Sequence, residues 1–200
     1  MNEKIKIQII IGSTRQNRFS EKPANYLFEE LKKREDTQAE LIDLRDWPLP
    51  FYDEPVSVGA NKGIYSNPMG AQWAAKIGEG DGYVIVSPEY NHGYTAVLKN
   101  ALDWVYPEWN KKPVGFVSYG NAGGARAIEQ LRQVVVELKM IPMFNSIHIP
   151  VEVYMTLREK KLPVNPDLFK PLREGRRGDI VERFFNELIE YAKMLKAARN

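Results

Sequence analysis

Apolar residues recur along the chain in two rhythms. Short β-branched runs alternate with longer stretches that repeat every three to four positions. Lys4 to Ile11 reads as a buried strand, because Ile5, Ile7, Ile9, Ile10 and Ile11 are all β-branched. After the polar loop from Gly12 to Phe19, Ser20 opens a helix with Ala24, Leu27, Phe28 and Leu31 on one face. Glu40 to Leu44 is a short second strand. Trp47 to Pro68 is irregular, broken by Pro48, Pro50, Pro55, Gly59, Gly63 and Pro68. A helix from about Met69 to Gly78 precedes a third strand over Gly82 to Ser87. Pro88 to Gly93 is a loop, Ala96 to Val105 a helix and Pro113 to Tyr119 a fourth strand. Gly120 to Gly124 is a glycine-rich turn. Ala125 to Met140 is then a helix with Ala127, Leu131, Val134, Val135 and Leu138 on one face.

Asn145 to Ile149 predicts a fifth strand. Pro150 to Gly178 reads as a long irregular connection, whose length suits a functional or interface loop. A helix from about Asp179 to Lys196 closes the chain, with Val181, Phe184, Phe185, Leu188, Ala192 and Leu195 as its stripe. Five strands alternating with five helices imply an α/β fold of three layers, a five-stranded parallel sheet with helices on both faces. Right-handed crossovers leave few arrangements. Residues 1–200 are read as one domain, with no internal repeat.

Composition narrows the function classes. Net charge is only +2, and no basic stripe interleaved with aromatics appears, so a nucleic-acid partner is not expected. The chain has no cysteine, which excludes disulfides, thiolate metal sites and a cysteine nucleophile, and fits a reducing cytoplasm. Met1 to Ile11 mixes charged and apolar residues, unlike the apolar run of a signal peptide, and no stretch is apolar enough to span a membrane.

In parallel sheets ligands bind beyond the carboxyl ends of the strands, where strand order reverses, so the loops there carry the chemistry. The first, Gly12 to Ser20, offers hydroxyls, Arg15, Arg18 and a helix N-terminus, a setting that suits a phosphate. It carries neither a Walker motif nor a Gly-x-Gly-x-x-Gly turn. The second, Pro88-Glu89-Tyr90-Asn91-His92-Gly93-Tyr94, offers an aromatic face, an amide and a glycine. The third, Ser118 to Arg126, offers glycines that permit close backbone approach to a flat ring. Each alone also suits an ordinary turn, with Ser20 a plain N-cap. All three fall at one sheet edge, where an anion and a planar heterocycle together match FMN.

These residues resemble the NADPH-dependent FMN reductase family, which includes quinone, azo and chromate reductases. Gly-Ser-x-Arg stands at Gly12, Ser13 and Arg15, and Pro-x-Tyr-Asn at Pro88, Tyr90 and Asn91. Leu-Lys-Asn-x-x-Asp-Trp covers Leu98, Lys99, Asn100, Asp103 and Trp104, and Gly-Gly-x-Arg covers Gly123, Gly124 and Arg126. The match runs from about Ile5 to His148. Two positions depart from it: many members carry a small residue at Arg18 and proline at Thr95.

The resemblance implies a flavodoxin-like fold, a homodimer or homotetramer, FMN as prosthetic group, and NADPH or NADH as co-substrate. It implies that Ser13, Arg15, Arg18 and Ser20 hold the FMN phosphate. Pro88, Glu89, Tyr90, Asn91 and Gly93 would contact the ring, largely through backbone, and Ser118, Gly120 and Gly123 would close its far side. The expected activity is NAD(P)H-dependent reduction of flavins, quinones or similar small acceptors by ping-pong hydride transfer. The flavin carries that chemistry, so no catalytic side chain is assigned. His92 and His148, the only histidines, lack further ligands at metal-binding spacing.

Other readings of such a sheet compete, one of them a non-catalytic interaction protein that keeps the fold without binding flavin. A flavodoxin-type electron carrier usually shows an acidic surface, which a net charge of +2 does not fit well. A signalling receiver needs clustered acids where Gly12-Ser13-Thr14 stand, and a low-molecular-weight phosphatase needs a cysteine.

Overall fold

Ile5, Ile7, Ile9 and Ile11 turn to one face of the first strand and Ile10 to the other, and this split sorts the rest of the chain into two cores. The structure is a computed structural model describing residues 4–159, 169–174 and 178–199. β1 (Ile5–Ile11) leads through α1 (Glu21–Lys32) to β2 (Thr37–Asp43), and α2 (Pro68–Gly78) leads to β3 (Gly82–Pro88). α3 (Ala96–Asp103), β4 (Pro113–Tyr119) and α4 (Ala125–Glu137) follow. The chain then runs through β5 (Ile141–Pro142), β6 (Ile147–His148), α5 (Val151–Glu159), α6 (Lys170–Arg173) and α7 (Ile180–Arg199).

Every strand pair is parallel, in the order β2-β1-β3-β4-β5, with β6 also on β4. One core joins the odd-numbered isoleucines of β1, Val84 and Val86 to Leu27 and Leu31 of α1 and Phe184 and Leu188 of α7. The other joins Ile10, Ile85 and Phe116 to Trp73 of α2, Leu98 and Leu102 of α3, and Leu131 and Val135 of α4. The expected three-layer flavodoxin-like architecture is therefore present.

Two sequence expectations need correction. The fifth strand is broken. Ile141 and Pro142 pair with Pro113 and Val114, and Ile147 and His148 with Val117 and Ser118, so two extra residues bulge out between the halves. The Glu187 carboxylate holds that bulge by accepting the N–H groups of Phe144 (2.7 Å) and Asn145 (2.9 Å). The second correction concerns 150–178. It was expected to be irregular, yet its described parts include the helices α5 and α6, because Val153, Tyr154, Phe169 and Leu172 find apolar partners in the first core.

The irregular stretch after β2 is held from within. The Asn100 amide donates to the carbonyls of Leu49 and Pro50, and the Trp104 indole donates to Pro50 at 2.6 Å. Trp104 is fully buried, so it acts as packing and anchor.

Candidate functional site

β1 and β3 are adjacent in the sheet but not in sequence, so strand order reverses between them. The loops after β1, β3 and β4 leave from this carboxyl edge.

The first loop, Gly12 to Ser20, crosses that edge before α1. Thr14 to Asn17 are exposed, while Ser13, Arg18 and Ser20 are buried. Asn17 has φ 53°. Among the described residues, no main-chain N–H from Ser13 to Asn17 donates to a protein acceptor. Such groups normally find partners, and a row of them beside a helix N-terminus is suited to an anion. A cavity of about 620 Å³ borders this loop, with Arg15, Phe19, Lys22 and Arg158 in its wall.

Arg18 is placed differently from the sequence expectation. Its guanidinium pairs with both oxygens of Asp43 at the end of β2, donates from Nε to Glu21 (2.8 Å), and donates to the Ser13 carbonyl. Its side chain is 1% exposed, so it faces the protein rather than a ligand. Burial disfavours its charge, but Asp43 and Glu21 more than offset this and raise its pKa. Burial likewise opposes the Asp43 charge, and Arg18 and the Arg45 N–H win, holding that carboxyl below its usual range.

Ser20 is also engaged internally. Its hydroxyl lies 2.6 Å from the Tyr119 hydroxyl, and it makes no side-chain cap on α1. Tyr119, Phe19 and Tyr154 form an aromatic cluster beneath the loop, with ring centroids 4.7 to 5.2 Å apart. Burial pushes the Tyr119 phenol well above its usual range.

The second loop closes on itself. Tyr90 and Gly93 exchange both main-chain hydrogen bonds, at 2.8 and 2.9 Å. Asn91 and His92 between them have φ 48° and 70°, left-handed values unusual for two consecutive non-glycine residues. This tight turn leaves Tyr90, Asn91 and His92 exposed. Pro88 is buried at the end of β3.

Glu89 turns away from the loop surface. It accepts from the Arg126 main-chain N–H at 3.1 Å and from the Arg126 guanidinium. It thereby caps the N-terminus of α4, where Gly124 has no side chain to do so. Burial opposes its charge, but Arg126 and the helix N–H groups hold the carboxyl below its usual range.

The third loop has Gly120, Gly123 and Gly124 at φ 153°, 62° and 73°. A Cβ on Gly124 would lie 2.0 Å from the Ser118 hydroxyl oxygen. Ser118 is fully buried there and donates to the Ser87 carbonyl at 2.8 Å, so its side chain does not reach the loop surface. Gly120 and Gly123 are only partly covered.

The fold thus gathers all twelve expected residues at one edge, but not all as ligand contacts. Arg15, Tyr90 and Asn91 face outward, and Gly93, Gly120 and Gly123 offer backbone. Arg18, Ser20, Glu89 and Ser118 spend their side chains on the scaffold. Arg45, Asp43, Thr95, Tyr119 and Arg158 join the site without having been foreseen. Among the described residues, no cluster of three or more His, Asp or Glu could hold a metal ion.

The sequence model of the family described as NADPH-dependent FMN reductase matches residues 5–152. An NAD(P)H-dependent FMN reductase of Schizosaccharomyces pombe is 43% identical over 147 residues, 72% of this chain and 74% of that protein. Another, from Nectria sp, is 33% identical over 199 residues, 96% of this chain and 92% of that protein. Among solved structures, FerB, a flavoenzyme NAD(P)H:(acceptor) oxidoreductase from Paracoccus denitrificans, shares the fold. Its TM-score is 0.67 at 19% identity, over 95% of this chain and 98% of that one.

Proposed function

The chain belongs to the NADPH-dependent FMN reductase family, and on that premise we propose how its own residues serve the reaction. It is an oxidoreductase that uses FMN with NAD(P)H. The residues at the carboxyl edge fit such a cofactor. The row of main-chain N–H groups in the first loop, free of protein acceptors among the described residues, is the observation that carries this reading.

The first loop holds the FMN phosphate. The N–H groups from Ser13 to Asn17 supply neutral donors, and the exposed Arg15 supplies a charged one. Tyr90, Asn91 and Gly93 present backbone and aromatic surface to one side of the ring, and Gly120 and Gly123 let the opposite loop approach closely. When bound there, the flavin would supply the two-electron redox chemistry that links NAD(P)H to an acceptor. The protein's task is to hold the ring with one side accessible, and no side chain is assigned as acid or base.

The acceptors are small oxidised compounds. Relatives named for reduction of quinones and azo dyes support this class. Residues 1–200 act as one domain, in a homodimer or homotetramer. A cytoplasmic site of action is consistent with the absence of cysteine. Among the described residues, no helix is long and apolar enough to cross a membrane.

The test is spectroscopic. Purified protein loaded with FMN is mixed anaerobically with NADPH. Bleaching of the visible flavin bands, followed by recovery with a quinone and parallel lines in two-substrate kinetics, is the expected result. Flavin that NADPH alone leaves oxidised would count against the enzyme reading and for an electron carrier.

A further inference from the structure

Four successive carbonyls in the first loop are each held by a side chain. The Thr95 hydroxyl donates to Gly12, Arg18 Nη1 to Ser13, Arg45 Nε to Thr14 (3.4 Å) and Arg45 Nη2 to Arg15 (2.6 Å). The described chain has no cis peptide bond. In a trans peptide the N–H runs antiparallel to the C=O of the same unit. Fixing these carbonyls therefore aims the N–H groups of Ser13, Thr14, Arg15 and Gln16 away from Thr95, Arg18 and Arg45.

The charges in this cluster are balanced. Arg18 pairs with Asp43 and Glu21, and Arg45 pairs with the same Glu21 oxygen at 3.0 Å. Two cations face two carboxylates, so little net charge is left over to attract an anion. The Arg18 side chain, 1% exposed, does not reach the outer side of the loop.

We propose that Arg18 and Arg45 are positioning residues, which set the first loop's N–H groups for the FMN phosphate before the cofactor arrives. This rests on the phosphate role assigned above to that loop. The device adds selectivity: a flavin carrying a phosphate gains from the preset donors, and one lacking it does not. Preset donors also avoid the ordering cost that a floppy loop would meet on binding.

Riboflavin is the same ring system without the phosphate, which makes it the control. Dissociation constants for FMN and riboflavin are measured by fluorescence quenching on the apoprotein, for the wild type, Arg45→Met and Arg18→Met. Circular dichroism checks each fold. Arg45 is the primary variant, because its side chain is 37% exposed and its loss leaves the Arg18–Asp43 pair in place.

The expected result is a wild type that prefers FMN, and an Arg45→Met protein that binds FMN about tenfold more weakly with riboflavin affinity retained. An Arg45→Met protein that is folded and keeps wild-type FMN affinity overturns the proposal. A parallel loss of both ligands also overturns it, since that would mark a general structural role. A wild type that binds FMN and riboflavin equally overturns the phosphate reading of the loop, and the proposal with it. If Arg18→Met does not fold, Arg45→Met decides alone.

Discussion

The Arg15 guanidinium lies over the ring of Tyr90, 5.9 Å from its centroid, so the first and second loops meet across the point where strand order reverses. This contact places a cation and an aromatic face side by side at the carboxyl edge. Replacing Arg15 with alanine removes a charged donor to the phosphate as well as the contact with Tyr90. The expected loss of FMN affinity is about 1.5–3 kcal/mol, the worth of charged hydrogen bonds. Flavin titration measures it, and an unchanged dissociation constant would remove Arg15 from the site.

Glu89 ties the second loop to the start of α4 through Arg126. Glu89→Gln is expected to lower stability by about 1–3 kcal/mol near neutral pH. Its carboxyl is held below the usual range when folded, so its stabilisation is present above that range and disappears as pH falls through the folded value. Thermal unfolding of both proteins at neutral and acid pH should therefore show the gap closing in acid. A gap independent of pH would contradict the assigned charge.

Gly124 is irreplaceable by geometry. At φ 73°, with Ser118 Oγ at 2.0 Å from a built Cβ, alanine must displace the β4 end. A cost of at least about 2 kcal/mol is expected in urea unfolding. Gly59→Ala is the control, since nothing lies within 4 Å of its Cβ. Equal stability of the two variants would refute the close approach.

Lys112 sits at the opposite edge. Its ammonium donates to the Ile77 and Gly78 carbonyls at the end of α2 and to the Tyr83 hydroxyl. Burial, reinforced by the Arg199 charge, pushes its pKa down from 10.5 to about 8. The unfolded chain then binds more protons than the folded one between those values, so stability rises with pH across that window. Relative to Lys112→Met, the wild type should gain on the order of 1–2 kcal/mol between pH 8 and 10. Parallel stability curves in urea at these pH values would show that Lys112 keeps its ordinary pKa.

The first four strands, the helices outside 150–178 and the three loops were legible because local signals mark them: isoleucines in β1, hydroxyls and arginine after it, glycines after β4. Arg15 and Tyr90 were readable as site residues for the same reason. What escaped was side-chain traffic between distant segments. Arg18 reads as a phosphate ligand until Asp43, 25 residues on, claims it. Thr95 reaches Gly12 across 83 residues, and Arg126 reaches Glu89 across 37. No periodicity records such pairings. The break in the fifth strand was hidden for a similar reason, since Glu187 from α7 holds it.

That break has a bearing on how the sheet ends. A long, flat outer strand offers a row of unpaired donors and acceptors on which another chain can polymerise. Here the side beyond β4 is two dipeptides separated by a protrusion carrying Phe144, which is 87% exposed. An incoming strand finds no continuous ladder to extend. At this edge, the interruption denies a further strand the regular pairing that cross-strand stacking requires.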